Sequence, residues 1–421
     1  MAALKPNLTM RAWLAVTWAA NPLWKRHLQK RVTRGKEDGT RWREKLGEAS
    51  IVRPKGTLVW LHAVGLGEAL ALRGLVIKLN ALQPTWHFLI TSGTLVSAQV
   101  LADNLPSKCM HQFLPIDTPQ AGNRFLDHWR PDIAIWAEQE LWPGLVWQTD
   151  RRGIPLVLVN ARMNAASFEK RKKMRPLYAD ALARFALVSA QDPETAQHLT
   201  ALGAHKVRID GSLKPLAPTL NDTGMDQAAA QVGARFVWVA ASTHPADEAI
   251  ALAAHRNLLR DRPDAVLIIA PRDVARGPQI VQDAKAIGLK AVLRSDTQDF
   301  TTPVYVADTF GALGLWYRLA SVALIGGTFD ATQGHNPWEA AQLSTHILFG
   351  PQTANFRTDF EGLLAAGGAS KVEDEVDVTR ALLTEDHTPF IQAALDTVQR
   401  KGKDFDAFNQ KVVDLAKGSH V

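Results

Sequence analysis

The 421-residue sequence holds a single cysteine, Cys109. An internal disulfide and a thiolate cluster are thereby excluded, which sets aside disulfide-built scaffolds, zinc ribbons and iron–sulfur sites and points to a reducing compartment. Long apolar runs are also missing. The longest early uncharged run, Ala12 to Trp24, is 13 residues long and contains Pro22, whereas a membrane-crossing helix needs about 20 predominantly apolar residues. No internal repeat or low-complexity tract is evident. What remains is an ordinary globular composition, 46% apolar and 21% charged, in a chain long enough for two domains of roughly 150 to 200 residues.

The net charge of +6 is unevenly placed. The first 50 residues carry 11 of the 48 Lys/Arg and 4 of the 42 Asp/Glu, leaving 37 against 38 for the rest. Such a local basic patch argues against a coat for duplex nucleic acid and for an anionic surface as partner. Trp13, Trp18 and Trp24 precede Lys25, Arg26, Lys30, Arg31 and Arg34. That order suits a helix lying in the headgroup layer, indoles inward and cations on phosphates. An amphipathic helix packed on its own domain has the same pattern. No small-residue cleavage site precedes the charges, so the segment is not read as a signal peptide.

From residue 51 onward, short Val/Ile/Leu-rich runs alternate with longer stretches of helical spacing, which predicts an α/β protein with parallel sheets covered on both faces. Strands are expected at Leu58–His62, Phe88–Thr91, Ile133–Trp136, Leu156–Val159, Ala186–Ser189 and Val207–Ile209. A second series comes at Phe236–Ala240, Ala265–Ala270, Val304–Val306, Val322–Ile325 and Ile347–Phe349. The Pro-rich, polar stretch from Pro215 reads as a linker, and Thr388 to Lys417 as one or two surface helices. Two doubly wound, Rossmann-like domains joined this way create a cleft, and ligands of such sheets sit beyond the C-terminal strand ends.

Every chemically suggestive residue lies just after a strand. Glu68 opens a helix after Gly65-Leu66-Gly67; it suits a general base, or a first-turn acid that only complements the helix dipole. Glu138 and Glu140 flank Gln139 just past a strand end, and at most one of the two is expected to face the cleft. Asn160-Ala161-Arg162 ends another strand. Lys214 closes Gly211-Ser212-Leu213-Lys214, where a cation can neutralise a leaving phosphate or form a surface ion pair. In the second half, Ser242-Thr243-His244 opens a helix whose free amides could hold phosphate or simply be capped. His244 with Asp247 and Glu248 is too weak a pattern to read as a metal site. Pro271-Arg272 places a guanidinium at a strand end, and Gly311-Ala312-Leu313 comes after Asp308. Asn336, Pro337 and Glu339 read as N-cap, N1 and N3 of a helix. The same helix start offers amides to phosphate, and Glu339 can accept both hydroxyls of a ribose.

Over nearly its whole length the chain resembles the 3-deoxy-D-manno-octulosonic acid (Kdo) transferases of lipopolysaccharide synthesis, glycosyltransferases of the GT-B class. The resemblance rests on the order and spacing of RWREKLG (41–47), HAVGLGE (62–68), LPIDTP (114–119), RFLDHWRP ending at Pro131, EQELWP (138–143), NAR (160–162), GSLK ending at Lys214, STHPADE from Ser242, PR at Pro271, GHNPWEA from Gly334 and GPQTANF from Gly350. It implies a membrane-anchoring segment over 1–50, an acceptor-binding domain over 51–214, a linker over 215–230, a donor-binding domain over 231–387 and a helical segment over 388–421. It further implies transfer of Kdo from CMP-Kdo to a glucosamine hydroxyl of the lipid A precursor, with inversion, at the cytoplasmic face of the inner membrane, and with no cofactor, no metal and no nucleic-acid partner. Glu68 matches the catalytic base, and Glu138 and Lys214 match positions that stabilise the transition state. Pro271, Arg272, Gly311, Ala312, Leu313, Asn336, Pro337, Trp338 and Glu339 match the CMP-binding segments. Gly65, Ala312 and Asp273 depart from the serine, glutamate and histidine usual at those places. Another GT-B enzyme, such as a different sugar-nucleotide transferase or a nucleotide-sugar epimerase, and a non-catalytic membrane scaffold are the alternatives.

Overall fold

The computed structural model describes residues 4–138, 141–297, 300 and 302–418. They divide into two compact units: residues up to Ala217 together with those from Lys403 onward, and Pro218–Gly402.

The first unit is built on a seven-stranded parallel sheet of β1 (Leu58–His62), β2 (His87–Ser92), β3 (Cys109–Phe113), β4 (Ile133–Ala137), β5 (Leu156–Ala161), β6 (Phe185–Ala190) and β7 (Val207–Ile209). Its spatial order is β3-β2-β1-β4-β5-β6-β7. The chain winds outward from β1 to β3, then returns beside β1 as β4 and winds the other way, so the order reverses between β1 and β4. The central strands β1 and β4 are buried at every residue, as continuous apolar runs between two helical layers should be.

The second unit repeats the design. Its strands are β8 (Val237–Thr243), β9 (Val266–Pro271), β10 (Ala291–Leu293), β11 (Val304–Val306), β12 (Val322–Ile325), β13 (His346–Phe349) and β14 (Ala369–Lys371). They pair in the order β10-β11-β9-β8-β12-β13-β14, and the reversal falls between β8 and β12. Each sheet is thus sandwiched between two apolar layers, four clusters in all among the described residues.

Several segments differ from the sequence expectation. Strands β3, β10 and β14 are additional to the expected series. The stretch 215–230, expected as linker, carries most of a helix that runs from Met225 to Val232. The terminal residues form helices Thr388–Asp404 and Asp406–Gly418, and the latter is more than a surface helix: Phe408, Val412, Val413 and Ala416, with Phe405 just before it, are buried in the core of the first unit.

The N-terminal helix, Leu8–Thr33, has two faces. Met10 joins the core. Trp13, expected to face lipid, is turned inward, its Nε1 donating to Asp117 Oδ2 at 2.8 Å, and the same carboxylate caps the helix after β4 by accepting from the amides of Gly144 and Leu145. The opposite face exposes Leu8, Val16, Trp18, Leu23 and Trp24. Part of the basic charge is consumed internally, since Glu37 pairs with Arg31 and Lys45, Glu44 with Arg41, and Glu48 with Arg43.

One close approach couples the sheet to the strand-edge loops. A Cβ on Gly74, in the helix Leu66–Leu82, would lie 2.0 Å from the carbonyl oxygen of Leu216, two residues beyond Lys214. Gly74→Ala should therefore force the segment outward and destabilise the first unit by about 1–3 kcal/mol, read as a lower urea midpoint; an unchanged midpoint would show that the loop yields freely.

Candidate active site

The site in the first unit forms where the strand order reverses, the place at which doubly wound sheets open a crevice beyond their strand ends. The turn after β1 leads through Gly65 into the helix bearing Glu68. Gly65 has no side chain with which to cap that helix, and Glu68 reaches back instead, its Oε2 accepting from the amides of Val64 at 3.0 Å and Gly65 at 3.1 Å. The carboxylate is therefore fixed by the capping geometry and remains half-buried. Capping and chemistry are not alternatives here, because the bonds that cap the helix also aim the acid.

Glu138 arrives from β4. Its amide still donates to Val159 O at 3.0 Å, as if the strand continued, but its φ is +61°. A left-handed conformation costs a non-glycine residue about 1–2 kcal/mol, and such strain collects at functional sites. Asn160, in β5, is left-handed too, with φ +56°, at an irregularity in the pairing of β5 with β6. Its side chain works in both directions: Nδ2 lies 3.4 Å from Glu138 Oε1, and Oδ1 accepts from the amide of Leu213 at 2.9 Å. Gln191 secures its carbonyl. Asn160 so ties Glu138 to the loop that presents Lys214. The sequence marks Asn160 only as a polar residue at a strand end; the fold alone shows that the two segments share it.

The structure brings Glu68, Glu138, Lys214 and Arg162 into one electrostatic group. The Glu138 carboxyl is pushed up to about 7, first by burial and next by the negative charge of Glu68 and a hydrogen bond between the two acids, while Lys214 and Arg162 pull the other way. Glu138 thus keeps its proton to a higher pH than an ordinary glutamate, and the hydrogen bond directs the group at Glu68. Like-charged acids in contact behave this way because both cannot ionise freely. Glu140 and Gln139 lie outside the described residues.

In the second unit the residues matched to nucleotide binding gather at one edge of the sheet. Pro271 and Arg272 end β9, Gly311 to Leu313 come after β11, and Asn336 to Glu339 after β12. The helix after β12 begins at Trp338, later than expected, with Pro337 preceding it. Asn336 still serves it, accepting from the amide of Trp338 at 3.2 Å while its Nδ2 donates to Glu339 Oε1 at 3.2 Å. Trp338 and Ala312 put their side chains into the core, so any contact they make with a ligand is through the backbone. Arg272 is exposed. Asp247 is fully buried and accepts from the amides of His244, Gly327 and Phe329, and Glu248 is paired with Arg276; both acids are structural. Among the described residues no cluster of three or more His, Cys, Asp and Glu could hold a metal.

The fold is that of the GT-B class. A UDP-GlcNAc 2-epimerase from Neisseria meningitidis solved with UDP-GlcNAc superposes with a TM-score of 0.57 at 11% identity, over 83% of this chain and 99% of that one. A putative UDP-N-acetylglucosamine 2-epimerase from Listeria monocytogenes gives 0.55 at 13%, over 84% and 97%. These likenesses speak for the fold alone. The sequence relatives go further. The family model for 3-deoxy-D-manno-octulosonic-acid transferase matches residues 40–217. A mitochondrial protein of Arabidopsis thaliana named a probable 3-deoxy-D-manno-octulosonic acid transferase is 33% identical over 409 residues, 94% of this chain and 91% of the relative. The 3-deoxy-D-manno-octulosonic acid transferase of Rickettsia bellii is 32% identical over 387 residues, 90% and 91% respectively. The chain belongs to the 3-deoxy-D-manno-octulosonic acid transferase family and is a glycosyltransferase.

The shared proton has a thermodynamic signature. Because the fold disfavours ionised Glu138, the native state holds this proton more tightly than the unfolded chain does. The resulting stability is fully present below the ordinary glutamate value of 4.5 and is lost as pH rises through about 7. Glu138→Gln, which keeps the shape but cannot ionise, should remove about 1–3 kcal/mol of the fall in stability between pH 5 and 8. Urea melts of both proteins across that range measure it, and parallel curves would show that Glu138 does not hold the proton.

Proposed function

We propose that the enzyme moves Kdo from CMP-Kdo to a glucosamine hydroxyl of the lipid A precursor, with inversion at the anomeric carbon. The observation that supports this reading is the hydrogen-bonded pairing of Glu68 with Glu138, whose carboxyl is pushed up to about 7, in a group that includes Lys214 and Arg162. In it, Glu68 takes the proton of the acceptor hydroxyl as the hydroxyl oxygen bonds to the anomeric carbon. The bond from that carbon to the phosphate oxygen breaks, and its electron pair leaves with CMP. Glu138 holds Glu68 in place by a hydrogen bond, and Lys214 and Arg162 supply positive charge for the anionic substrates. The second unit holds the donor through Arg272, the Gly311–Leu313 backbone and the Asn336–Glu339 segment, with Glu339 on the ribose hydroxyls. A single phosphate leaves, and cationic side chains with backbone amides suffice to offset its charge, so the proposal includes no metal.

The proposal places the enzyme on the cytoplasmic face of the inner membrane. Among the described residues no helix is long and apolar enough to cross a membrane. Instead, Leu8, Val16 and Leu23 recur at seven- and eight-residue spacing on the exposed face of the N-terminal helix, with Trp18 and Trp24 beside them and Lys25, Arg26 and Lys30 further along. Apolar side chains and cations on an exposed helix suit a lipid surface of negative charge.

Incubation with CMP-Kdo and lipid A precursor, with mass spectrometry of the lipid, should show added Kdo and count the units transferred. Glu68→Gln should lower the rate by about 10²- to 10⁴-fold, the usual contribution of a general base, while CMP binding survives; full turnover by this variant would remove Glu68 from the role. For the membrane, flotation with vesicles containing anionic phospholipid should carry the wild-type protein and lose it when Trp18 and Trp24 are both replaced by Ala. Equal flotation of the two would dismiss that face as the contact.

A further inference from the structure

The reversal point of the second sheet holds a pair of histidines for which neither the family resemblance nor the comparisons supply a role. His244 comes directly after β8, and His335 lies in the loop between β12 and Asn336. Their rings are nearly coplanar, 8° apart with centroids 5.1 Å apart, and meet edge to edge with the two Nε2 atoms 2.9 Å from each other. Both are half-buried and so within reach of a ligand.

The surrounding chain is built to bring them together. Ser242, at the end of β8, is left-handed with φ +58°. A Cβ on Gly326 would lie 2.4 Å from the Ser242 carbonyl oxygen, and one on Gly327 would lie 2.9 Å from Thr332 Cγ2 and 3.1 Å from His335 Cδ2. The Gly326-Gly327 pair is therefore what lets the two loops close. Asp247 then bolts them, accepting from the His244 amide at 2.8 Å and the Gly327 amide at 2.7 Å. All of this fixes backbone and leaves the imidazole edges facing each other.

The contact as it stands has room for one hydrogen between the two Nε2 atoms; a second would set N–H against N–H. Burial, His244 and Arg272 disfavour the charged form of His335, holding it down at about 4, and Asp330 alone favours it. Asp330 is itself engaged by the amide of Thr332 at 2.8 Å, and Asp247 by its three amides. The carboxylates around the pair are thus committed to the backbone, while Arg272 has no carboxylate partner among the described residues. Two imidazoles whose neighbouring carboxylates, Asp330 and Asp247, are bonded to backbone amides stand beside a guanidinium with no carboxylate partner among the described residues, a setting that suits an anion.

We propose that His244 and His335 grip the phosphate of the nucleotide donor: the pair opens around one phosphate, each Nε2–H donates to an oxygen of it, and Arg272 stands beside. The inference rests on the reading of the second unit as the CMP-Kdo site. When the sugar carbon parts from the phosphate oxygen, the electron pair stays on that oxygen and the phosphate passes from one negative charge to two, while the acceptor's proton goes to Glu68. Donation from the imidazoles strengthens as that charge grows, which is the condition for lowering the barrier rather than merely binding the donor. A phosphate placed beside His335 also opposes the influences that hold it down at about 4, and so favours its charged form.

The test compares CMP with cytidine, which lacks the phosphate, by calorimetry on the full-length enzyme. Wild type should prefer CMP. In the double variant His244→Asn and His335→Asn, CMP affinity should fall tenfold or more and cytidine affinity should not move, which also certifies the fold. In a second measurement on unmutated protein, the imidazole resonances are titrated by NMR with and without CMP; CMP should raise their pKa. CMP binding with an unchanged preference over cytidine in the variant, or imidazoles whose titration ignores CMP, overturns the histidine pair and spares the donor site. Failure of wild type to bind CMP at all overturns the donor reading and the pair with it.

Discussion

Two carboxyl groups brought within a hydrogen bond of each other cannot both stay ionised without a large electrostatic penalty, and the first unit is organised around that constraint. Glu68 and Glu138 come from the two strands between which the sheet reverses, so their meeting is a product of topology and not of sequence proximity. Burial raises the cost of charge on Glu138, the shared proton relieves it, and Lys214 with Arg162 offsets what remains. Asn160 makes the arrangement rigid by bonding at once toward Glu138 and toward the Leu213 amide. In the proposed reaction, a carboxylate that takes up a proton gains from a neighbour that hydrogen-bonds to it, because the neighbour directs it.

The second unit uses the same topological device with opposite polarity. Its reversal point also unites side chains from two loops, but these are imidazoles beside Arg272 and not acids beside Lys214. In both units a left-handed, non-glycine residue stands at or just past the end of a strand, Glu138 in one and Ser242 in the other. At each place the backbone departs from the regular ladder, and the departure re-aims the side chains next to it. A doubly wound sheet supplies the crevice; the local strain decides which groups enter it.

Much of this was legible in the sequence, and the limits of legibility have physical causes. The central strands were evident because burial on both faces demands unbroken apolar runs, and β1, β7, β11 and β12 fall at the expected residues. Three of the four edge strands were not. β3 reads Cys-Met-His-Gln-Phe, and β10 and β14 are three residues long and partly exposed, so none carries the pattern that double burial imposes. The carboxylates were visible as candidates, yet alternation along an extended chain could not foretell a left-handed Glu138. Trp13 and Trp18 look alike in sequence, and only the packing distinguishes an indole bonded to Asp117 from one facing outward. Phe405 and Phe408 were hidden for a related reason: the terminal segment that carries them returns to a unit whose other residues end some 190 positions earlier.

The three departures from the family pattern fall where a side chain is expendable. At Gly65 the nearest atom to an added Cβ is Glu68 Cδ or Oε1 at 3.8 Å, so a serine would fit, but the helix start is already served by Glu68 reaching back to two amides. Ala312 is buried and precedes a helix that no side chain caps. Gly311 beside it has φ +88° and open space around it, which leaves the backbone there free to face a ligand. Asp273 caps the short turn after Arg272 by accepting from the Ala275 amide at 3.1 Å, a local duty that holds Arg272 at the end of β9. In each case the neighbouring backbone or the adjacent charged residue can carry the function, and the groups that bear charge in the proposed reaction are untouched. The three departures thus fall at positions that shape the loops, and none of them touches the acid pair or the cations that balance it.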